Sequence, residues 1–97
     1  MPFEIVVTSP AETDIVESYR YYFSEASAKV ADSFMEDLNH SFDMLEINPF
    51  YQIRTKTYRA IPLKSFPFLI FFEVLEDRMI VKVLRVFNTK LNPKSWP

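Results

Sequence analysis

The sequence of 97 residues contains no cysteine and no glycine, and its only histidine is His40. Without cysteine there can be no disulfide, thiol nucleophile or thiolate metal site, and one histidine cannot supply paired imidazole ligands. Without glycine, no Gly-rich loop can bring backbone amides close to a phosphate, as nucleotide-binding motifs require. We therefore expect no metal and no nucleotide cofactor.

Long apolar stretches are also absent. The longest run, Phe66 to Phe72, is far shorter than the roughly twenty residues that a membrane-spanning helix needs, and Glu73 ends it. The N-terminal residues have neither the basic stretch nor the apolar core of a secretory signal. We therefore expect a cytoplasmic protein that does not contact a membrane.

What is present is typical of one folded domain. The hydrophobic fraction is 48% and the charged fraction 25%, which is more apolar than a disordered chain and ordinary for a globular one. A chain of this length buries one core but not two. We predict a single domain spanning residues 1–97.

Charge is divided unequally along the chain. Residues 1–50 contain two basic and ten acidic residues, for a formal charge of −8, whereas residues 51–97 contain nine basic and three acidic residues, for +6. A basic half could face a nucleic acid, because phosphate contacts dominate the affinity of such complexes. Ordinary solvated surface explains the same segregation equally well, so both interpretations stay open.

The first half of the chain has the periodicities of one strand and two helices. Residues 3–8 alternate as a strand does, and Ser9-Pro10-Ala11-Glu12 predicts a helix start with Ser9 as the N-cap. We expect this helix to end near Ser24. Ser27 is placed to cap a second helix, which Asn48-Pro49 stops.

The second half predicts three strands. No period is visible from residue 51 to residue 56; residues 57–63, 68–74 and 79–87 then read as strands, the last two joined by a turn at Glu76-Asp77. The order β-α-α-β-β-β predicts an α+β fold, with a helical hairpin packed on one face of an antiparallel-rich, four-stranded sheet. The other face is left to partners.

Two arginines, Arg59 and Arg85, fall within predicted strands, where a lone cation is unusual. Each could pair with Glu73 or another acid across the sheet, or clamp a phosphate or a partner's carboxylate. His40 is interpreted as a surface residue without a role. Trp96 is predicted to anchor the tail to the sheet or to a second subunit, which leaves a homodimer open.

The order of the segments resembles the RelE/ParE family of toxins, also called the plasmid stabilisation family. The segments that carry the likeness are Ser9 to Ile15, Asn48-Pro49, Tyr58 to Leu63, Phe66 to Phe72, Leu84 to Phe87 and Asn92 to Trp96. The resemblance implies a RelE-like fold and a toxin of a type II toxin–antitoxin module, silenced by a cognate antitoxin. It also implies one of two targets, DNA gyrase or the ribosome with its mRNA.

The resemblance also suggests site residues. Arg59 and Arg85 match the family's recurrent arginines, and Lys56 and Lys90 lie near enough in sequence to help them neutralise a phosphate during mRNA cleavage. Many relatives have a histidine or tyrosine after the last strand, but this chain has Asn88, which cannot shuttle a proton.

The tail differs too, because Leu91 replaces an arginine often found in relatives. We therefore expect a toxin that binds a large target such as gyrase, with a ribosome-dependent mRNA endonuclease or a catalytically inactive relative as the alternatives. The two guanidinium groups are expected to project from the face opposite the helices and to grip an anionic surface, including acidic residues of the antitoxin.

Overall fold

Five strands and two long helices make up the computed structural model, which describes residues 2–50, 53–55 and 58–90. In chain order they are β1 (Glu4–Val7), α1 (Ser9–Glu25), α2 (Ala28–Ile47), β2 (Ile53–Thr55), β3 (Tyr58–Pro62), β4 (Phe68–Leu75) and β5 (Ile80–Asn88), with a 3-10 turn at Glu76–Arg78 between the last two strands.

The strands form one mixed sheet in the order β1-β5-β4-β3-β2. The first strand runs parallel to β5, with Ile5 opposite Val81, and the other neighbours are antiparallel. The predicted α+β class and the order β-α-α-β-β-β are confirmed. The structure adds the three-residue strand β2, which the sequence did not predict because so short a segment shows no measurable period.

The two helix starts differ in how they are capped. Ser27 caps α2 as predicted, its hydroxyl oxygen accepting a hydrogen bond from the Val30 N–H at 3.1 Å. The first helix begins at Ser9, but its N-cap residue is Thr8 and not Ser9. The Thr8 hydroxyl donates to the Val83 carbonyl at 2.8 Å. This bond ties the start of α1 to β5 and so fixes where the helix crosses the sheet.

The main core lies between the helical hairpin and the sheet. Phe34, Leu38 and Leu45 of α2 are buried against a sheet surface that includes Ile70 and Phe72. Burying side chains of this size contributes about 1.5–3 kcal/mol each relative to exposure, so this layer dominates the stability of the fold.

The sheet's second face also carries buried side chains. Leu69, Phe71 and Phe87 are each less than a tenth exposed and pack with Ala60. The expectation that this whole face is left to partners is therefore wrong at these positions. The pairing of β4 with β5 shifts between Phe71 and Phe72, so that Leu84 is an extra residue in β5.

Candidate functional site

A cleft of about 370 Å³ lies between α1 and the C-terminal end of β5. Helix α1 lines it with carboxylates and tyrosine rings, and β5 lines it with the segment from Arg85 to Asn88. It contains Arg85, one of the two predicted arginines, and Asn88, the position at which many relatives have a histidine or tyrosine. It is therefore the candidate functional site.

The cleft exists because β5 is longer than its parallel neighbour. Pairing between β1 and β5 ends at Val7 and Val83, so β1 does not cover the remainder of β5. Helix α1 follows β1 directly and crosses this edge. The Asp14 carboxylate then accepts a hydrogen bond from the Val86 N–H at 3.0 Å, in the place where a neighbouring strand would supply a carbonyl.

Arg85 forms a two-pronged ion pair with the same carboxylate. Its Nε donates to Asp14 Oδ2 at 2.7 Å and its Nη2 to Asp14 Oδ1 at 2.9 Å. The guanidinium also lies 5.1 Å from the centre of the Phe87 ring. The hydrogen bonds to Asp14 are the main reason that the pKa of Arg85 is raised, and the charges of Asp14 and Glu17 add to it.

Arg85 is therefore charged and already has a counterion. Its side chain is 35% exposed and that of Asp14 is 14% exposed, so the carboxylate is the more buried partner. Of the two alternatives that the sequence left open, the structure has an internal ion pair. The partner is Asp14 of a helix, however, and not Glu73, which lies opposite Lys82 in the sheet register.

Arg59 lies elsewhere. It is paired with Phe72 in the sheet register, whereas Arg85 is paired with Phe71. Because successive residues of a strand point to opposite faces, these registers place the two arginines on different faces of the sheet. The guanidinium of Arg59 lies 5.7 Å from the ring centre of Phe50, and that ring packs edge-on against Phe3 of the main core.

The picture of two guanidinium groups projecting together from the face opposite the helices is therefore wrong. Alternation along one strand shows which of its residues share a face. It does not show whether Arg59 and Arg85, which lie on separate strands, share a face until the register between the strands is known. That register is set by β4, which lies between them.

The remaining predicted site residues are only partly visible. Lys90 is exposed, and its backbone N–H donates to Asn88 Oδ1 at 2.8 Å, so the Asn88 amide takes part in the turn after β5. Lys56, Leu91 and Trp96 lie outside the described residues. The proposal that Arg59, Arg85, Lys56 and Lys90 act together stays a prediction.

The sequence did not reveal Asp37, a buried carboxylate on α2. It accepts hydrogen bonds from three successive backbone amides, those of Lys64 at 3.0 Å, Ser65 at 2.8 Å and Phe66 at 3.0 Å. An acid next to Leu38 on the apolar side of a predicted helix was the signal that could have found it. Its position ties the turn between β3 and β4 to the helical layer.

Two findings concern other kinds of site. Within residues 2–50, 53–55 and 58–90, no three His, Cys, Asp or Glu side chains are grouped so that they could hold a metal ion. No helix in the same ranges combines the length and apolar character needed to cross a membrane. His40 is exposed on α2, as expected.

Comparison with known proteins identifies the family. Residues 5–93 match the family model for the ParE toxin of the type II toxin–antitoxin system parDE. No curated protein sequence matches the chain.

Several solved structures have a similar fold. The chromosomal ParDE system from P. aeruginosa superposes with a TM-score of 0.75 at 19% identity, covering 89% of this chain and 95% of that one. A mutant of the E. coli toxin RelE in the free state gives 0.61 at 14% identity, with 93% and 86% covered. The RelBE2 toxin–antitoxin complex from Mycobacterium tuberculosis gives 0.59 at 14% identity, with 91% and 99% covered. The family match spans almost the whole chain, and the chain therefore belongs to the ParE toxins of type II toxin–antitoxin systems.

Proposed function

We propose that this toxin arrests bacterial growth by binding DNA gyrase in the cytoplasm, without cutting RNA, and that a cognate antitoxin neutralises it. The matching family model is that of the ParE toxins, one branch of the RelE/ParE resemblance. The observation that carries the choice of target is the state of Arg85, whose guanidinium is neutralised by Asp14 within the molecule.

RNA cleavage by a ribose hydroxyl needs cations that stabilise the developing charge and groups that accept and donate a proton. Among the described residues that line the candidate cleft, Arg85 is the one arginine; it has an internal counterion, and Glu17 adds a second negative charge beside it. Position 88, where many relatives carry a protonatable side chain, holds an amide engaged with the Lys90 N–H. A cleft with this charge and these groups favours binding over phosphate chemistry.

An antitoxin partner is supported by the family and by the solved structures with a similar fold. These include the RelBE2 toxin–antitoxin complex from M. tuberculosis and the intact RelBE complex from E. coli. We also propose Arg59 as a contact for an acidic residue of such a partner. Its side chain is partly exposed, and its guanidinium lies 5.7 Å from the ring centre of Phe50, which is 50% exposed.

Two assays with the purified toxin test the target. One measures supercoiling of relaxed plasmid by gyrase, and the other measures mRNA cleavage by translating ribosomes. We expect loss of supercoiling, its recovery when the antitoxin is added, and intact mRNA. Cleaved mRNA with unimpaired gyrase would establish the endonuclease alternative instead, and activity in neither assay would leave the inactive relative.

The antitoxin contact has its own test. Replacing Arg59 by Glu should weaken the toxin–antitoxin complex, because the substitution puts a like charge opposite an acidic partner residue. Arg78→Glu is the matched control, since Arg78 is exposed in the turn between β4 and β5 and its reversal changes the net charge equally. Equal affinity of the Arg59→Glu variant and the wild-type protein, measured by calorimetry, would remove Arg59 from the interface.

A further inference from the structure

Three large apolar side chains lie exposed within seven residues at the C-terminal end of α2. Met44 is 40% exposed, Ile47 is 83% exposed, and Phe50, just past the helix, is 50% exposed. Apolar side chains scattered singly over a surface are ordinary, but several together commonly mark a surface that another molecule covers. These three residues are here called the end patch.

The backbone of the end patch is fixed by local contacts. The Asn48 N–H donates to the Met44 carbonyl at 3.0 Å, and the Phe50 N–H donates to Asn48 Oδ1 at 3.2 Å. Phe3, the residue before β1, supports the same segment. Its N–H donates to the Glu46 carbonyl at 2.8 Å, and its ring packs edge-on against Phe50 with 5.8 Å between the ring centres. A partner therefore meets side chains on an ordered backbone, which lowers the entropic cost of binding.

The end patch has one acidic and one basic border. Asp43 is exposed one helical turn before Ile47, on a helix with five acidic residues and one basic residue. At the other border the Arg59 guanidinium lies 5.7 Å from the centre of the Phe50 ring. Arg59 belongs to the segment 48–72, which contains four basic residues and no acidic one. The patch thus lies where an acidic helix meets a basic part of the chain.

A second copy of the chain is complementary to a patch with these two borders. A partner whose surface carries one sign of charge is attracted by one border and repelled by the other. A copy related by a two-fold rotation presents the same three apolar side chains and can set its acidic border against the basic one. The features of the single chain are therefore enough to form the contact.

We propose that the end patch is the contact surface of a homodimer of the free toxin, in which Ile47 and Phe50 of the two copies pack together and Asp43 of each copy faces Arg59 of the other. The dimer does not depend on the target of the toxin. Because Arg59 is also the proposed antitoxin contact, the antitoxin and the second copy would exclude each other at this surface.

The size of the end patch limits the strength of the dimer. Its three side chains together expose roughly 300 Å², whereas a stable complex buries about 800 Å² on each partner. Polar surface around the patch supplies the remainder of the contact and contributes less to affinity. We therefore expect a weak dimer, with a Kd in the micromolar range.

Sedimentation equilibrium of the purified full chain from about 5 µM to about 500 µM measures this association. We expect the average mass to rise with concentration from that of the monomer toward that of the dimer. Ile47→Glu should keep the chain monomeric, because it removes an apolar contact and brings two like charges together. Ile47→Ser gives the same test without an added charge. Val16→Glu is the matched control, because it changes the net charge equally at an exposed apolar position of α1, and it should leave the Kd unchanged.

A charge exchange tests the two borders. Asp43→Arg and Arg59→Glu should each weaken the dimer by about tenfold, because each substitution places like charges opposite one another. The variant with both substitutions should recover the wild-type Kd, because each pair is restored with its charges exchanged. Circular dichroism verifies that every variant is folded.

Three results would overturn the proposal. The first is a monomer at every concentration; if Ile47→Glu then weakened the toxin–antitoxin complex, the end patch would belong to the antitoxin. The second is an equal loss of dimer in Ile47→Glu and Val16→Glu. The third is a double variant that associates no better than the two single charge variants.

Discussion

Replacing Asp14 by alanine tests how the candidate cleft is held together. The carboxylate accepts three hydrogen bonds, two from the Arg85 guanidinium and one from the Val86 N–H. A hydrogen bond to a charged group contributes about 1.5–3 kcal/mol to stability. The Arg85 side chain is 35% exposed, however, so in the variant water can replace much of its lost hydrogen bonding. The sum of the three hydrogen-bond contributions must therefore be reduced for solvent screening.

We expect Asp14→Ala to lower the free energy of unfolding by about 2 kcal/mol, and Asp14→Asn by about 1 kcal/mol because the amide oxygen can still accept one bond. For a domain of this size a loss of about 2 kcal/mol lowers Tm by roughly 8–16 °C. Urea denaturation gives the free energy directly, and an unchanged slope would show that the unfolded state is not affected.

The raised pKa of Arg85 sets the alkaline limit of this contribution. The guanidinium is more basic in the folded state, so its stabilisation is complete below the ordinary arginine pKa and is lost only as the pH rises through the higher folded value. The cost of Asp14→Ala should therefore be the same at pH 7 and pH 9.

Two comparisons decide whether the reasoning about Asp14 holds. Glu17→Ala removes an exposed acid one turn away and should change stability by no more than about 0.5 kcal/mol. A double-mutant cycle of Asp14→Ala with Arg85→Ala should give a coupling energy of about 1 kcal/mol. If Asp14→Ala cost less than about 0.5 kcal/mol, or the coupling were zero, the pair would not hold α1 to the edge of β5.

Two further substitutions test other contacts. Asp37→Ala should lower the free energy of unfolding, measured by urea denaturation, by about 2–3 kcal/mol, because it leaves three amides of the β3–β4 turn without their acceptor. Asp43 is an exposed acid on the same helix, and Asp43→Ala should lower it by about 0.5 kcal/mol or less. Equal losses in the two variants would refute the role of Asp37. Tyr22 has a pKa raised above 10.0, chiefly by burial, so unfolded tyrosine ionises first and stability should fall as the pH rises above about 10. Tyr22→Phe should reduce that fall, and an identical pH profile for the two proteins would contradict it.

The local patterns of the sequence were enough for most of the architecture. Alternation in β1 and β5, the apolar stripes of both helices, the Ser27 cap and the stop at Asn48-Pro49 depend on residues close together in the chain, and all of these elements are present. The same local signals, kept in order, were enough to identify the toxin family. They failed at β2, where three residues are too few to show a period.

Only the tertiary structure decided the site. Asp14 and Arg85 are 71 positions apart, and their ion pair exists because β1 is shorter than β5 and α1 crosses the uncovered edge. Arg59 and Arg85 fall on different faces because of the strand register, including the extra residue Leu84 in β5. Asp37 accepts hydrogen bonds from three backbone amides that lie 27 to 29 positions away in the sequence. Such contacts depend on how helices and strands pack against one another and on where each of them ends. Patterns among residues close together in the sequence do not determine that arrangement.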